Sequence, residues 1–459
     1  MRTYAPFAFA IGLLVVCDLP AQGRGRRGQR PDNAQPVTAS APQPATEADK
    51  KPKTHLAIVG GDVYLGTGQR MTGASVLLGD DKIEAVGHNL TLPEGTTILD
   101  AKGKAVSPGF VCVLGFGMGA PRSGPFADSV NPFDPEIKQA LAAGVTTFMA
   151  GSAGAGPTLS GSNAIIKLSY GDVKGMVLRE DTVVGLSVPL TLADRDKLED
   201  SVKKSREYLK ALEEFPKQKA ADPNAKEPTV PAGAEKTVAV LRGQAQLWIT
   251  LGGGGGGGGG RRGGGGGGGG ASDVDSIRQG LEVAKLFGKG VVLQKPVSAW
   301  LIPDEVAATG SMVVLSPRDR VPPSPQDPDR TGSNIASAAI LANAGVPVAV
   351  TCPGGMFGGA GVGIGGIMGQ DLNTPHFDAA FAVRGGLDNR KALRTLTLDA
   401  AKILGIDSRV GSLEPGKDAD VLILDGDPLH YSSFVTTAVV NGKVVYEKAK
   451  EPLYKHIAR

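Results

Sequence analysis

Hydrophobic and polar positions alternate in short runs near both ends of the chain and change to a longer, helix-spaced rhythm between them. Residues 56–59, 74–78, 82–86 and 97–100 are alternating apolar runs parted by Gly- and Asp-containing turns. That spacing predicts small antiparallel strands. The other end repeats the style with a strand at 419–425 and two β-rich runs, 436–440 and 443–446, joined by Asn441-Gly442. An Asn-Gly pair between β-rich runs is a strong hairpin signal. Neither end carries enough strands for a stable sheet, so a composite β-sandwich built from residues 55–106 and 406–450 is expected.

Between the ends, strand and helix alternate. Residues 140–149 read as a helix end, a Gly stop and a strand; 277–288 and 291–293 repeat the unit, as do 335–344 and 345–351. Serial βα units predict an α/β fold with a parallel sheet, most simply a (β/α)8 TIM-like barrel over residues 107–405. Such barrels carry their chemistry at the C-terminal strand ends. Two insertions interrupt the pattern. Residues 195–235 are highly charged, with a helix expected over 197–214, and read as a surface excursion. Residues 252–270 are seventeen glycines around Arg261 and Arg262. A phosphate-binding loop would need Gly-Lys-Ser/Thr between strand and helix, which this run lacks, so it reads as a floppy loop. It follows the predicted strand 247–251, on the side where a barrel does its chemistry.

Composition changes the picture at the N-terminus. Arg2 and the apolar run 7–16 form a secretory signal over residues 1–22, too short to span a bilayer as a mature helix. Residues 23–54, rich in Arg, Pro, Ala and Gln, read as a disordered linker. The mature chain is therefore expected to be periplasmic or extracellular, without a transmembrane segment. A net charge of +3 gives no bulk attraction to nucleic acid. Beyond the signal only Cys112 and Cys352 remain, too few for a disulfide framework.

The stretch Val106-Ser-Pro-Gly-Phe-Val-Cys-Val-Leu-Gly-Phe116 resembles the first barrel strand of the amidohydrolase superfamily, where Pro-Gly and an apolar strand lead into Asp-x-His-x-His. The segment Gly411-Ser-Leu-Glu-Pro-Gly-Lys-Asp-Ala-Asp420, with the strand after it, resembles the family's ending, especially in the imidazolonepropionase-like branch. The resemblance covers most of residues 55–447. It implies a hydrolase of non-peptide C–N bonds in which zinc or another divalent metal activates water.

Carried over residue by residue, the resemblance also implies that the ligand set is lost. The first-strand Asp falls on Cys112 and the two histidines on Leu114 and Phe116; later ligand positions fall on Thr250, Lys295 and Cys352. All five histidines, His55, His88, His376, His430 and His456, lie away from barrel strand ends and read as solvated surface residues. Asp128, Asp134, Arg318 and Asp319 show no recognisable pairing. A bound metal lowers the pKa of water from about 15.7 to about 7, on the order of 12 kcal/mol of activation, which no rearranged Thr or Lys replaces. No cofactor and no catalytic residue are therefore expected. Cys112 and Cys352 stand where two carboxylates of the family stand. They form either a disulfide or thiol pair, which requires Cα atoms within about 7 Å, or two small buried hydrophobes. Three functions remain open: a pseudo-hydrolase with a binding or scaffold role toward an unknown small ligand, an active C–N hydrolase with a non-standard ligand set, and a partner subunit of an intact homologue in a mixed oligomer. Homo-oligomerisation is compatible with each.

Overall fold

The computed structural model describes residues 53–251, 273–318, 321–351, 370–452 and 455–456. The expected signal, the linker up to residue 52, the poly-Gly run, Asp319 and Cys352 lie outside the described residues. In chain order the N-terminal strands are β1 (His55–Tyr64), β2 (Arg70–Gly79), β3 (Lys82–Gly87), β4 (Thr97–Asp100) and β5 (Ala105–Pro108). Next come β6 (Phe110–Cys112), α1 (Pro135–Ala142), β7 (Val145–Ser152), β8 (Ser162–Lys167), β9 (Val177–Glu180) and β10 (Val183–Val188). They lead into α2 (Leu192–Ala221), α3 (Glu235–Leu241), β11 (Gln246–Leu251), α4 (Asp273–Phe287), β12 (Val292–Gln294), α5 (Pro303–Ala308) and β13 (Met312–Leu315). The chain continues through α6 (Ser337–Asn343), β14 (Val348–Val350), α7 (Gln370–Arg384), α8 (Asn389–Arg394) and α9 (Leu398–Ile403). It closes with β15 (Val421–Leu424), β16 (Val435–Val440) and β17 (Lys443–Glu447).

Strands from the two ends form one continuous eight-stranded sheet, in the order β17-β16-β15-β5-β1-β2-β3 with β4 on β1, rather than two separately hydrogen-bonded sheets. The antiparallel β5–β15 pair joins the ends. At the β16–β17 hairpin, Asn441 and Gly442 have φ of +50° and +72°, the left-handed pair that the turn requires. The middle of the chain forms a five-stranded parallel sheet, β10 to β14 in sequence order, and a second sheet of β6 to β9. No closed ring of strands forms among the described residues. The sequence pattern does not foretell β8 and β9, an antiparallel excursion between β7 and β10. The residue that ties it down is Asn163. Its buried amide accepts from Val183 N–H at 3.1 Å and donates to Val183 O at 2.7 Å, clamping β8 to β10.

Alternation along the parallel strands sorts the core into two faces. Leu247 and Ile249 of β11 share one apolar cluster with Leu293, Val313 and the α4 residues Ile277 and Leu281. Trp248 instead joins Val111, Met149, Val292, Val314 and Ala349, a cluster completed by Ala400, Ile403 and Leu404 of α9 and the loop after it. The first is the helix-facing shell and the second the inner face. Helix α2 departs from expectation: the start of the charged stretch is a crossover helix, with Leu198, Val202 and Ser205 buried, and only beyond it does the helix run largely exposed. Among the described residues no helix is long and apolar enough to cross a membrane.

Candidate functional site at the strand ends

The parallel register fixes which side chains face inward where β10 to β14 end. Ser187 pairs with Thr250, Thr250 with Gln294, Gln294 with Val314, and Val314 with Ala349. Since Trp248, Val292, Val314 and Ala349 face inward, so do the positions two residues from them: Thr250, Gln294, Ser316 and Thr351. The inner row at the strand ends is thus Ser187, Thr250, Gln294, Ser316 and Thr351, four hydroxyls and an amide. Ser187 is already engaged, its Oγ accepting from Gly156 N–H at 2.8 Å while its own N–H donates to Gly156 O at 2.7 Å. That loop presses on β10 so closely that a Cβ at Gly185 would stand 2.3 Å from Gly154 O.

Of the positions singled out in the sequence, Thr250 is in this row. Lys295 is not: the inward residue at the end of β12 is its neighbour Gln294. Lys295 follows the strand with φ of +49°, its N–H donating to Val314 O at 2.8 Å. It lines a cleft of about 20 Å3 with Ser316, Asn334 and Ser337. At the end of β6, Cys112 is half-buried against the helix-facing cluster and Leu114 packs on the inner one. Gly115 N–H donates to Met149 O at 2.8 Å, and Phe116 is half-buried beyond it. The structure brings Leu114 to the inner face with Val111 and Val113, and it does not bring Cys112 there. The pairing of Cys112 with Cys352 falls outside the described residues.

The loop after β6 is held by the first turn of α1. Asp134 caps that helix, its Oδ1 accepting from Glu136 N–H at 2.9 Å and its Oδ2 from Gly119 N–H at 3.1 Å; Glu136 accepts from Met118 N–H at 2.9 Å. Both carboxylates serve the backbone. Arg318, unpaired by inspection of the sequence, meets the buried Asp378 of α7, with Nε 2.8 Å from Oδ1.

One histidine corrects the expectation of solvated side chains. His376 of α7 stands edge-on to Phe110, ring centroids 4.8 Å apart, and its Nε2 is sealed from solvent without a partner among the described residues. The residue as a whole is half-buried, while its Nε2 is out of contact with solvent. Desolvation accordingly pushes its pKa down to about 4. His88, His430 and His456 are exposed. His55 opens β1 instead of preceding it, half-buried with Nε2 3.3 Å from Glu84. No histidine reaches the inner row among the described residues.

Residues 287–446 match the amidohydrolase family model. Over 71 residues the chain is 37% identical to a 5-methylthioadenosine/S-adenosylhomocysteine deaminase of Symbiobacterium thermophilum, and over 72 residues 35% identical to a protein of the same name from Thermoanaerobacter pseudethanolicus. Each alignment covers 12% of this chain and only 16% and 17% of those relatives, about a sixth of their length. A crystal structure of an amidohydrolase from Thermotoga maritima is similar over 85% of this chain and 100% of its own, with 25% identity and a TM-score of 0.61. That likeness places the two inner sheets in a (β/α)8-type domain beside a β-rich domain.

A divalent metal of the kind the likeness implies needs imidazole, carboxylate or thiolate donors. The inner row offers neutral hydroxyls and an amide beside Leu114, and no group of three or more His, Cys, Asp or Glu side chains converges among the described residues. Among the described residues, the side chains at these strand ends do not supply the donors such a metal needs.

Proposed function

We propose that this chain is an exported member of the amidohydrolase superfamily that has given up metal-dependent hydrolysis and serves as a binding or scaffold protein. The observation that carries this reading is the inner row, Ser187, Thr250, Gln294, Ser316 and Thr351, above an apolar floor of Val111, Met149, Trp248 and Val292. Leu114 is partly buried against that floor, a contribution of at most about 1.5–3 kcal/mol, whereas an unpaired ionised ligand there costs more than it returns. The substitutions thus favour a packed strand end. Export rests on Arg2 and the apolar run 7–16. In a scaffold role the chain associates with itself or with an intact homologue.

The deaminase names of the two relatives favour a second reading, an active C–N hydrolase with a different donor set. One assay separates the two. Protein supplied with zinc or manganese is offered 5-methylthioadenosine, S-adenosylhomocysteine and cyclic amides, beside the variants Thr250→Ala and Gln294→Ala. The degenerate reading expects ammonia release and ring opening at buffer rates in all three proteins. Turnover by the wild type that either variant abolishes would overturn it.

A further inference from the structure

At the N-terminal end of β14, away from the hydroxyl row, the chain turns through Gly345, Val346 and Pro347 and borders a cleft of about 160 Å3 against α8 and α9. Three cationic side chains line it, Lys391, Arg394 and Lys402, with one carboxylate, Asp399. Arg394 joins Asp399 through Nη2 at 2.7 Å, and its Nε has no acceptor among the described residues. Lys391 reaches the neutral Asn343 Oδ1 at 2.9 Å. Lys402 lies near enough to the carboxylates of Asp399 and Glu414 to favour their charged forms. The lining of the cleft thus sets three cationic side chains against one carboxylate, Asp399. Gly345, with φ of +87°, leaves open space where a side chain would stand.

Such a surplus next to a concave surface selects an anion, and its multiplicity selects one with more than a single negative charge. Three cationic side chains lining one cleft suit the three equivalent oxygens of a phosphoryl group. A water occupies about 30 Å3 of liquid, so the cleft has room for roughly five, enough for a tetrahedral oxyanion and part of its shell. We propose that this cleft binds a tetrahedral oxyanion, as free phosphate or as the end group of a phosphate monoester, with Lys391, Arg394 and Lys402 as its charged contacts. The site is independent of the strand-end reading: it lies at the other end of β14 and takes part in no reaction.

The test is a thermal-shift titration of the full chain at fixed ionic strength, with potassium phosphate in one arm, glycerol 3-phosphate in a second, and potassium chloride as the reference. Phosphate or its monoester is expected to raise the Tm of the wild type to a plateau, beyond the effect of chloride. Lys391→Ala and Lys402→Ala should each weaken the apparent affinity about tenfold, the value of one charge-assisted contact. Lys285→Ala, on the exposed side of α4, should leave it unchanged. Both arms support the site, and the tighter of the two identifies its source. Equal titration by the wild type and the two cleft variants, or no response beyond chloride in either arm, would overturn the proposal. Because the readout is binding, the presence or lack of hydrolytic activity has no bearing on the outcome.

Discussion

Asp418→Ala is expected to lower the free energy of unfolding by about 3–5 kcal/mol, the cost of breaking a buried ion pair by removing one partner. Asp418 precedes β15 and its side chain is fully buried, as is that of Lys167 at the end of β8. Its two oxygens accept from Lys167 Nζ at 2.8 Å, from Arg409 Nε and Nη2, both at 2.8 Å, and from Lys82 Nζ at 2.6 Å. One carboxylate thus ties β8 and the loop after α9 to the sheet built from both ends of the chain, holding its edge strand β3 through Lys82. Lys167 also meets Asp420 at 3.0 Å and Asn441 in the β16–β17 turn. Without Asp418 the buried ammonium keeps one carboxylate and loses the stronger share of its compensation. Urea unfolding monitored by tryptophan fluorescence checks the magnitude. A loss below about 1 kcal/mol, the range of surface pairs, would mean that the cluster does not hold the two regions together. The double variant Lys167→Met/Asp418→Ala should cost less than the sum of the single changes, because the two residues are coupled.

Stability is expected to fall in two separate steps on acidification. His376 titrates near 6.5 when unfolded and near 4 in the fold. Between those values the unfolded chain binds a proton that the folded chain refuses, so stability drops as pH falls from 6.5 to 4, by about 3 kcal/mol in all. Asp418 acts in the next window. Burial alone would raise its carboxyl, but Arg409, Lys167 and Lys82 more than offset that and hold it down to about 2, from an ordinary 3.8. Its contribution, about 2 kcal/mol, is present above pH 4 and is lost as pH falls toward 2. His376→Leu should remove the first step and leave the second. Unfolding free energies measured from pH 7 down to pH 2 check both; a wild type as stable at pH 4 as at pH 7 would show that the imidazole is not sealed as described.

The βα rhythm is legible in the sequence because each unit ends on a glycine with positive φ, Gly288 at +68° and Gly345 at +87°. The Asn441-Gly442 hairpin is legible for the same local reason. The segment 411–420 can be recognised as a pattern but not explained from it: Asp418 finds its partner Lys167 at a distance of 251 residues along the chain. Sequence reasoning misses the inner row by one place at Gln294, since a slip of one residue along a strand exchanges its two faces. His376 cannot be told from the exposed histidines, because Phe110, the ring that packs on it, comes from β6, far from α7 in sequence. Helix α2 reads as a surface excursion because its charge hides a short apolar stripe, Leu198 and Val202, at helical spacing.

Metal content per chain, read by elemental mass spectrometry on untagged protein produced with its N-terminal segment intact, tests the central claim most directly. The account predicts less than about a tenth of an equivalent of zinc, iron, manganese or nickel, because hydroxyl, amide and leucine positions give a divalent ion no adequate donor set. About one or two equivalents, surviving dialysis against a weak chelator, would contradict it, and Cys112, Lys295 and Cys352 would then be the first residues to replace.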